Sequence, residues 1–352
     1  MKRLTQLLAI FSLLVSTLLL FTPAYAKYDL NKATGINLKQ TEEYLANWLN
    51  SEKFPESITI AYYYVYSLPA LGKTISPHAK RQIIDFIKRC QSDDGGFSTT
   101  TGQNKTDITS TYYALKSLTL LDSLRAIDRE RAASFILGLV TNDGGITSSK
   151  QTNKTPSLTA TFYGVQSLEM LGEIDKLNTD KTASFVKEYL TASNSFSSNR
   201  SGKATPRATY MGVATLDSLD RLTDEIKTGT AFFLKKTSSL KLSKNGIGQS
   251  LSSLQEMTDI LQTSDHLAVL EQTDKEKMYK FVESLYQHEN GGFGYGPDLE
   301  TTPVSTYLGI VCLVELGKLH DPLLRRVTAR RQLGRLFYHL MICEGQRPRF
   351  VF

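Results

Sequence analysis

The sequence predicts an all-α fold, an α6/α6 toroid in which six helical hairpins supply an inner and an outer ring of helices. Three observations lead there. A glycine-centred turn recurs at intervals of about 50 residues. An aromatic segment follows each strong copy of the turn. The stretches between carry apolar residues at helical spacing.

The turn is clearest in Gln91-Ser92-Asp93-Asp94-Gly95-Gly96-Phe97. Thr141-Asn142-Asp143-Gly144-Gly145-Ile146 and Glu289-Asn290-Gly291-Gly292-Phe293 repeat it, and Ser193-Asn194-Ser195-Phe196 and Lys244-Asn245-Gly246-Ile247 are weaker copies. The aromatic segment is Ser110-Thr111-Tyr112-Tyr113-Ala114-Leu115. It returns as Ala160-Thr161-Phe162-Tyr163-Gly164-Val165, Thr209-Tyr210-Met211-Gly212-Val213 and Thr306-Tyr307-Leu308-Gly309-Ile310. An earlier copy, Ala61-Tyr62-Tyr63-Tyr64-Val65, lacks its glycine turn.

Each repeat reads as an amphipathic outer helix, a turn and a buried inner helix. Residues 131–140 and 181–190 place charges on one face and apolar groups on the other. Asp or Asn folds its side chain back on the chain and glycine tolerates positive φ, so the helix stops at the turn. Thr155-Pro156, Thr205-Pro206 and Thr302-Pro303 then set a capping hydroxyl before a proline, a helix-start signal, and Thr106-Asp107 is the polar equivalent. The inner helices are apolar nearly all round, as buried helices are; the fifth, within 254–270, is the most degraded. Rows of helical hairpins stack into an open solenoid or close into a ring. Inner helices with no face to expose, and the small residues Gly164, Gly212 and Gly309, favour closure. No strand pattern competes.

The ends differ from the body. Lys2-Arg3, an apolar run over 7–21 and Ala24-Tyr25-Ala26 form a secretory signal peptide. The expected organisation is a leader over 1–26, the toroid over 27–320 and a basic tail over 321–352. The mature chain is expected to be exported, periplasmic or secreted, without a membrane-spanning segment. The net charge of +6 sits at the C-terminal end, where eight Lys and Arg from Lys318 onward face two acids. A basic tail on a body without that excess argues against nucleic-acid binding. Three cysteines, Cys90, Cys312 and Cys343, make no disulfide framework and have no metal-ligand spacing.

The Gln-x-x-Asp-Gly-Gly-Phe turn followed by Thr-Tyr-Tyr-Ala-Leu resembles the repeat of protein prenyltransferase β subunits and of squalene and oxidosqualene cyclases. The resemblance covers roughly residues 40–317 and implies an α/α toroid with a central, aromatic-lined cavity. For the prenyltransferases it also implies a catalytic zinc, whose Asp and Cys ligands fall by repeat alignment near Arg207 and Thr209 and whose His falls near Ser305. Arg, Thr and Ser do not supply that tetrahedral donor set. For the cyclases it implies an Asp-rich acid motif, and no Asp-x-Asp-Asp occurs in the sequence. The expectation is therefore no metal and no cofactor.

Tyr62, Tyr112, Phe162, Tyr210 and Tyr307 hold equivalent inner-helix positions. They either line a cavity that accepts an apolar or isoprenoid ligand, with Arg207 beside them, or simply pack the toroid. Asp107 and Asp259 are the candidate acids, and Asp107 at a helix start is equally a cap. Asp265-His266 is a third acid–base candidate, although adjacent helical residues do not face each other. Two functional readings stay open. One is a non-catalytic exported toroid that binds a small molecule or a protein partner. The other is a terpene cyclase- or prenyltransferase-like enzyme that uses an unrecognised acid. A sugar-acting toroid needs carboxylates facing a common cleft, and the inner helices are poor in them.

Overall fold

In a computed structural model, residues 35–49, 54–103, 105–150, 155–241, 254–267, 269, 272–296 and 299–322 are described. The expected leader over 1–26, Cys343 and nearly all of the basic tail lie outside them. The described helices belong to one unit that begins at Ile36. They come in pairs, outer then inner. The pairs are α1 (Leu38–Leu49) with α2 (Ile58–Ala70), α3 (Pro77–Cys90) with α4 (Ile108–Leu120), and α5 (Arg129–Leu137) with α6 (Leu158–Leu171). They continue as α7 (Thr179–Lys187) with α8 (Pro206–Ser218), α9 (Asp224–Lys241) with α10 (Leu254–Leu267), and α11 (Gln272–Ser284) with α12 (Pro303–Glu315).

The even-numbered helices form the inner ring. Each packs on the next from α2 through α12, and α12 packs on α2, so the ring is closed. The outer ring closes at the same seam. Tyr286 donates its hydroxyl to the Asn37 carbonyl at 3.0 Å, and Gln40 Nε2 donates to the His288 carbonyl at 2.7 Å. The last turn thus clasps the first outer helix.

A repeated local device joins the layers. The backbone N–H groups of Phe97, Ile146, Phe196 and Phe293 donate to the Oγ1 atoms of Thr111, Thr161, Thr209 and Thr306 at 3.0–3.2 Å. All four donor residues have no exposed surface. The apolar side chain after the glycines is thereby pinned into the following inner helix. At Gly212 a Cβ would run into the Phe196 ring, which is why a small residue stands there. The first turn glycine has positive φ and lies against the next outer helix: a Cβ on Gly144 would stand 2.5 Å from the Lys181 carbonyl carbon.

One expectation needs correcting. The sequence showed no strand pattern, yet Phe97–Ser98 (β1) pairs antiparallel with Thr106–Asp107 (β2). Isolated bridges repeat this as Ser197↔Ala204 and Gly294↔Thr301. The chain leaves each turn extended and returns at once to cap an inner helix, so the two backbones lie side by side. These pairs are too short to carry the period-2 alternation that betrays a strand in a sequence.

Candidate functional site: the interior of the inner ring

Residues 2, 5, 6, 9 and 13 of each inner helix share one face, set by the 3.6-residue turn. In this structure that face points into the ring. Position 5 is Tyr62, Tyr112, Phe162, Tyr210 and Tyr307 in helices α2, α4, α6, α8 and α12. Position 6 is Tyr63, Tyr113 and Tyr163 in the first three. The rings touch in sequence around the toroid. Tyr307 stacks on Tyr63 with centroids 4.4 Å apart, and Tyr62 meets Tyr113 at 5.2 Å. Tyr112 meets Tyr163 at 4.9 Å, Phe162 meets Tyr210 at 5.5 Å, and Tyr210 reaches His266 of α10 at 6.2 Å. The belt touches all six inner helices.

Each such pair stabilises by about 0.5–1.5 kcal/mol beyond simple burial, so the belt helps to hold the ring shut. Tyr62, Tyr112 and Phe162 are buried, whereas Tyr63, Tyr113, Tyr210 and Tyr307 are half-buried. Burial raises the phenol pKa values, Tyr63 to about 12, and the neighbouring phenols of Tyr62, Tyr113 and Tyr307 also move well up. These phenols are therefore uncharged at neutral pH.

At position 6 of α10 the tyrosine is replaced by Asp259, and at position 2 of α8 stands Arg207. The structure brings these two sequence candidates together. Arg207 donates to Asp259 Oδ1 at 2.9 Å and to the Tyr163 hydroxyl at 3.3 Å, and Gln255 Nε2 donates to the same Oδ1 at 3.2 Å. Asp259 Oδ2 is buried without a hydrogen-bond partner. Desolvation outweighs the attraction of Arg207 and pushes the Asp259 carboxyl up to about 6. Burial also disfavours the Arg207 cation, but Asp259 and Tyr163 more than restore it. The asymmetry is physical, because Arg207 keeps 38% of its side-chain surface accessible and Asp259 none.

Further along the helices are groups that the sequence did not single out. Lys116, at position 9 of α4, donates to the Tyr112 hydroxyl at 2.7 Å and lies 5.3 and 5.1 Å from the centroids of Tyr62 and Tyr112. Glu315, at position 13 of α12, has its carboxyl pushed up to about 8 by burial and by Asp265 and Asp321, against the opposing pull of Gln262 and Lys116. Extending the inward stripe one and four residues past the recognised aromatics finds Tyr113 and Lys116; two turns past Tyr307 finds Glu315.

Asp107 stands outside this interior group. It is the N-cap of α4, with Oδ1 accepting from the Ser110 backbone at 2.9 Å and Oδ2 from the Ser110 hydroxyl at 2.7 Å. His266 Nδ1, on α10, lies 3.8 Å from Asp217 on α8. The zinc positions implied by the family resemblance do not fit a metal. Thr209 accepts from the Phe196 backbone, Ser305 closes a capping box with Thr302, and Arg207 is a cation paired with Asp259. Among the described residues, no group of three or more His, Cys, Asp or Glu could hold an ion. Nor is any described helix long and apolar enough to cross a membrane.

Comparison with known proteins accounts for the architecture. Among solved structures, the chain is similar to the Candida albicans protein geranylgeranyltransferase-I complexed with GGPP. The two share 16% identity and a TM-score of 0.68, over 82% of this chain and 95% of that one. It is similar to the type II terpene cyclase MstE from Scytonema at 12% identity and a TM-score of 0.55, over 80% and 96%. A protein from Actinoplanes matches at 12% identity and 0.53, over 80% and 98%. At such identities the likeness is one of fold. No curated protein sequence matches. The prenyltransferase α/α toroid domain model matches residues 36–247 and 232–341. On a closed double ring with this turn-and-threonine device in its repeats, that match settles the relationship: the chain belongs to the prenyltransferase α/α toroid domain family.

Proposed function

We propose that this protein is an exported α/α toroid that binds an elongated apolar ligand of the isoprenoid class inside its inner ring. The observation that carries this reading is the aromatic belt, which touches all six inner helices and leaves four of its tyrosines only half-buried. Stacked and tilted ring faces suit apolar chains and polyenes. The neighbours point the same way: the Candida enzyme was seen with GGPP, and a variant of the Scytonema cyclase with geranylgeranyl dihydroxybenzoate. The residues at the family's zinc positions support a binder rather than a protein prenyltransferase. Export rests on the Lys2-Arg3, 7–21 and Ala24-Tyr25-Ala26 pattern, and N-terminal sequencing of the mature protein tests it, with Lys27 as the expected first residue.

The test of binding is calorimetric titration of the full mature chain with geranylgeraniol, geranylgeranyl diphosphate and a C20 hydrocarbon in mixed micelles. Saturable binding to one site, weakened by Tyr63→Ala, is the expected result. Absence of saturable binding to all three overturns the reading.

A second reading makes the protein an enzyme with Asp259 as its acid. It rests on the uncommitted Oδ2 and on a carboxyl held near pH 6 inside the belt. Its weakness is chemical: protonating an unactivated alkene calls for a strong acid, and burial makes Asp259 a weaker acid than an ordinary carboxyl. Product formation from a polyene by the native chain and not by Asp259→Asn favours it.

A further inference from the structure

The six inner helices carry two Lys or Arg side chains, and the two are treated differently. Arg207 has a carboxylate at 2.9 Å. Lys116 donates to the Tyr112 hydroxyl and lies against the faces of Tyr62 and Tyr112, while the carboxyls of Glu315 and Asp321 act on it only electrostatically. A lysine usually runs its stem along apolar surface and leaves its ammonium in water. Here the ammonium end is turned into the ring. A structural role alone is better served by an uncharged side chain, because burying a cation is costly.

We propose that Lys116 is a carbonyl-capture site, whose amine forms an imine with the aldehyde end of an apolar, isoprenoid-type ligand seated against the aromatic belt. The proposal rests on the binding reading above and names the chemistry of the ligand's polar end. Three features of the surroundings favour it. Burial holds the Lys116 amine below the usual lysine range, which increases its free-base, nucleophilic fraction. The Tyr112 hydroxyl at 2.7 Å orients the nitrogen. Glu315 lies on the inward face of α12 and interacts electrostatically with Lys116, and burial keeps its carboxyl protonated at neutral pH.

The step balances without a co-reactant. The amine nitrogen adds to the carbonyl carbon, and a proton moves from nitrogen to the carbonyl oxygen to give a carbinolamine. A proton supplied by the Glu315 carboxyl lets that oxygen leave as water, while the nitrogen lone pair forms the C=N bond. One aldehyde and one amine are consumed and one water is released, with no net oxidation. The resulting iminium lies between the faces of Tyr62 and Tyr112, which favour a cation, and the Glu315 carboxylate left behind supplies the opposite charge.

The experiment uses the full mature chain with all-trans-retinal as the aldehyde and all-trans-retinol as its non-carbonyl partner. Binding of each is measured, borohydride is added, and the digest is read by mass spectrometry. The expected result is a mass gain equal to retinal less one oxygen atom, confined to the peptide carrying Lys116, with a red-shifted absorbance before reduction. Lys116→Arg, which keeps the charge but not the primary amine, and Lys116→Gln should each lose the adduct while still unfolding cooperatively in urea, which reports a folded chain. Adduct spread over surface lysines, or retinol binding without adduct at Lys116, overturns the capture site and leaves the binding reading standing. Failure of both compounds to bind overturns both.

Discussion

The Arg207 guanidinium reaches Asp259 Oδ1 at 2.9 Å from the adjacent inner helix, and Asp259 Oδ2 remains buried with no partner. The pair therefore ties α8 to α10 while leaving a carboxylate only half satisfied. Removing Arg207 strands that carboxylate. Breaking a buried pair costs about 3–5 kcal/mol; the accessible part of Arg207 lowers the expectation for Arg207→Ala to roughly 2 kcal/mol. Urea unfolding measures it, and a double mutant with Asp259→Asn should recover much of the loss.

The same pair predicts a pH slope. The Asp259 carboxyl is raised from 3.8 to about 6, so the folded state holds its proton over a range where the unfolded chain has released it. Its contribution is fully present below about pH 4 and is lost as pH rises through about 6. Asp259→Asn should flatten stability across that window. An unchanged slope in the variant would show that Asp259 is not the group responsible.

Glu315 extends the argument to higher pH. Its carboxyl rises from 4.5 to about 8, again because burial disfavours the charged form. Stability held below about pH 4.5 is lost progressively as pH rises through 8. Glu315→Gln should remove the decline between pH 6 and 8, read from urea midpoints at constant ionic strength.

Two glycines with similar backbones separate strain from crowding. Gly172 has φ +74 and open space where a Cβ would stand, whereas Gly144 has φ +88 and the Lys181 backbone 2.5 Å away from that position. Gly172→Ala should cost about 1–2 kcal/mol, the left-handed penalty alone. Gly144→Ala should cost roughly 3 kcal/mol or more, since the clash adds overpacking of about 1–3 kcal/mol. Equal costs at the two sites would refute the close-approach account of the turn.

In the fourth repeat the contact is inverted. Asn194 stands at the turn with φ 54, and the facing outer helix supplies Gly229, whose added Cβ would meet the Asn194 Cβ at 2.5 Å. Gly229→Ala should destabilise, and Asn194→Gly should partly rescue it. The coupling expected of touching residues is about 0.5–3 kcal/mol, measured by a double-mutant cycle.

Much of this architecture was legible in the sequence because it is local and repeated. Gly144, Gly291 and Thr302-Pro303 announce a turn and a helix start from their own conformational limits, and the recurrence of Thr111 and Tyr112 announces equivalent inner helices. Periodicity even placed Asn194 in a turn without its glycine, although not the compensation at Gly229, which is distant in sequence and lies across a helix pair. Composition likewise set the basic tail apart from the body.

What the sequence could not decide was which side chains meet. Arg207 and Asp259 are 52 residues apart, and only closure of the inner ring sets them 2.9 Å from each other. Asp107 read equally as an acid or a cap, and the structure shows both of its oxygens capping α4. Lys116 falls on the same stripe as Tyr112 in the sequence, but what its amine meets depends on the neighbouring helices. Local rules act within a turn or a cap and are written in neighbouring residues. Burial and pairing inside the ring arise only when six distant segments share one space, and there the tertiary structure decides.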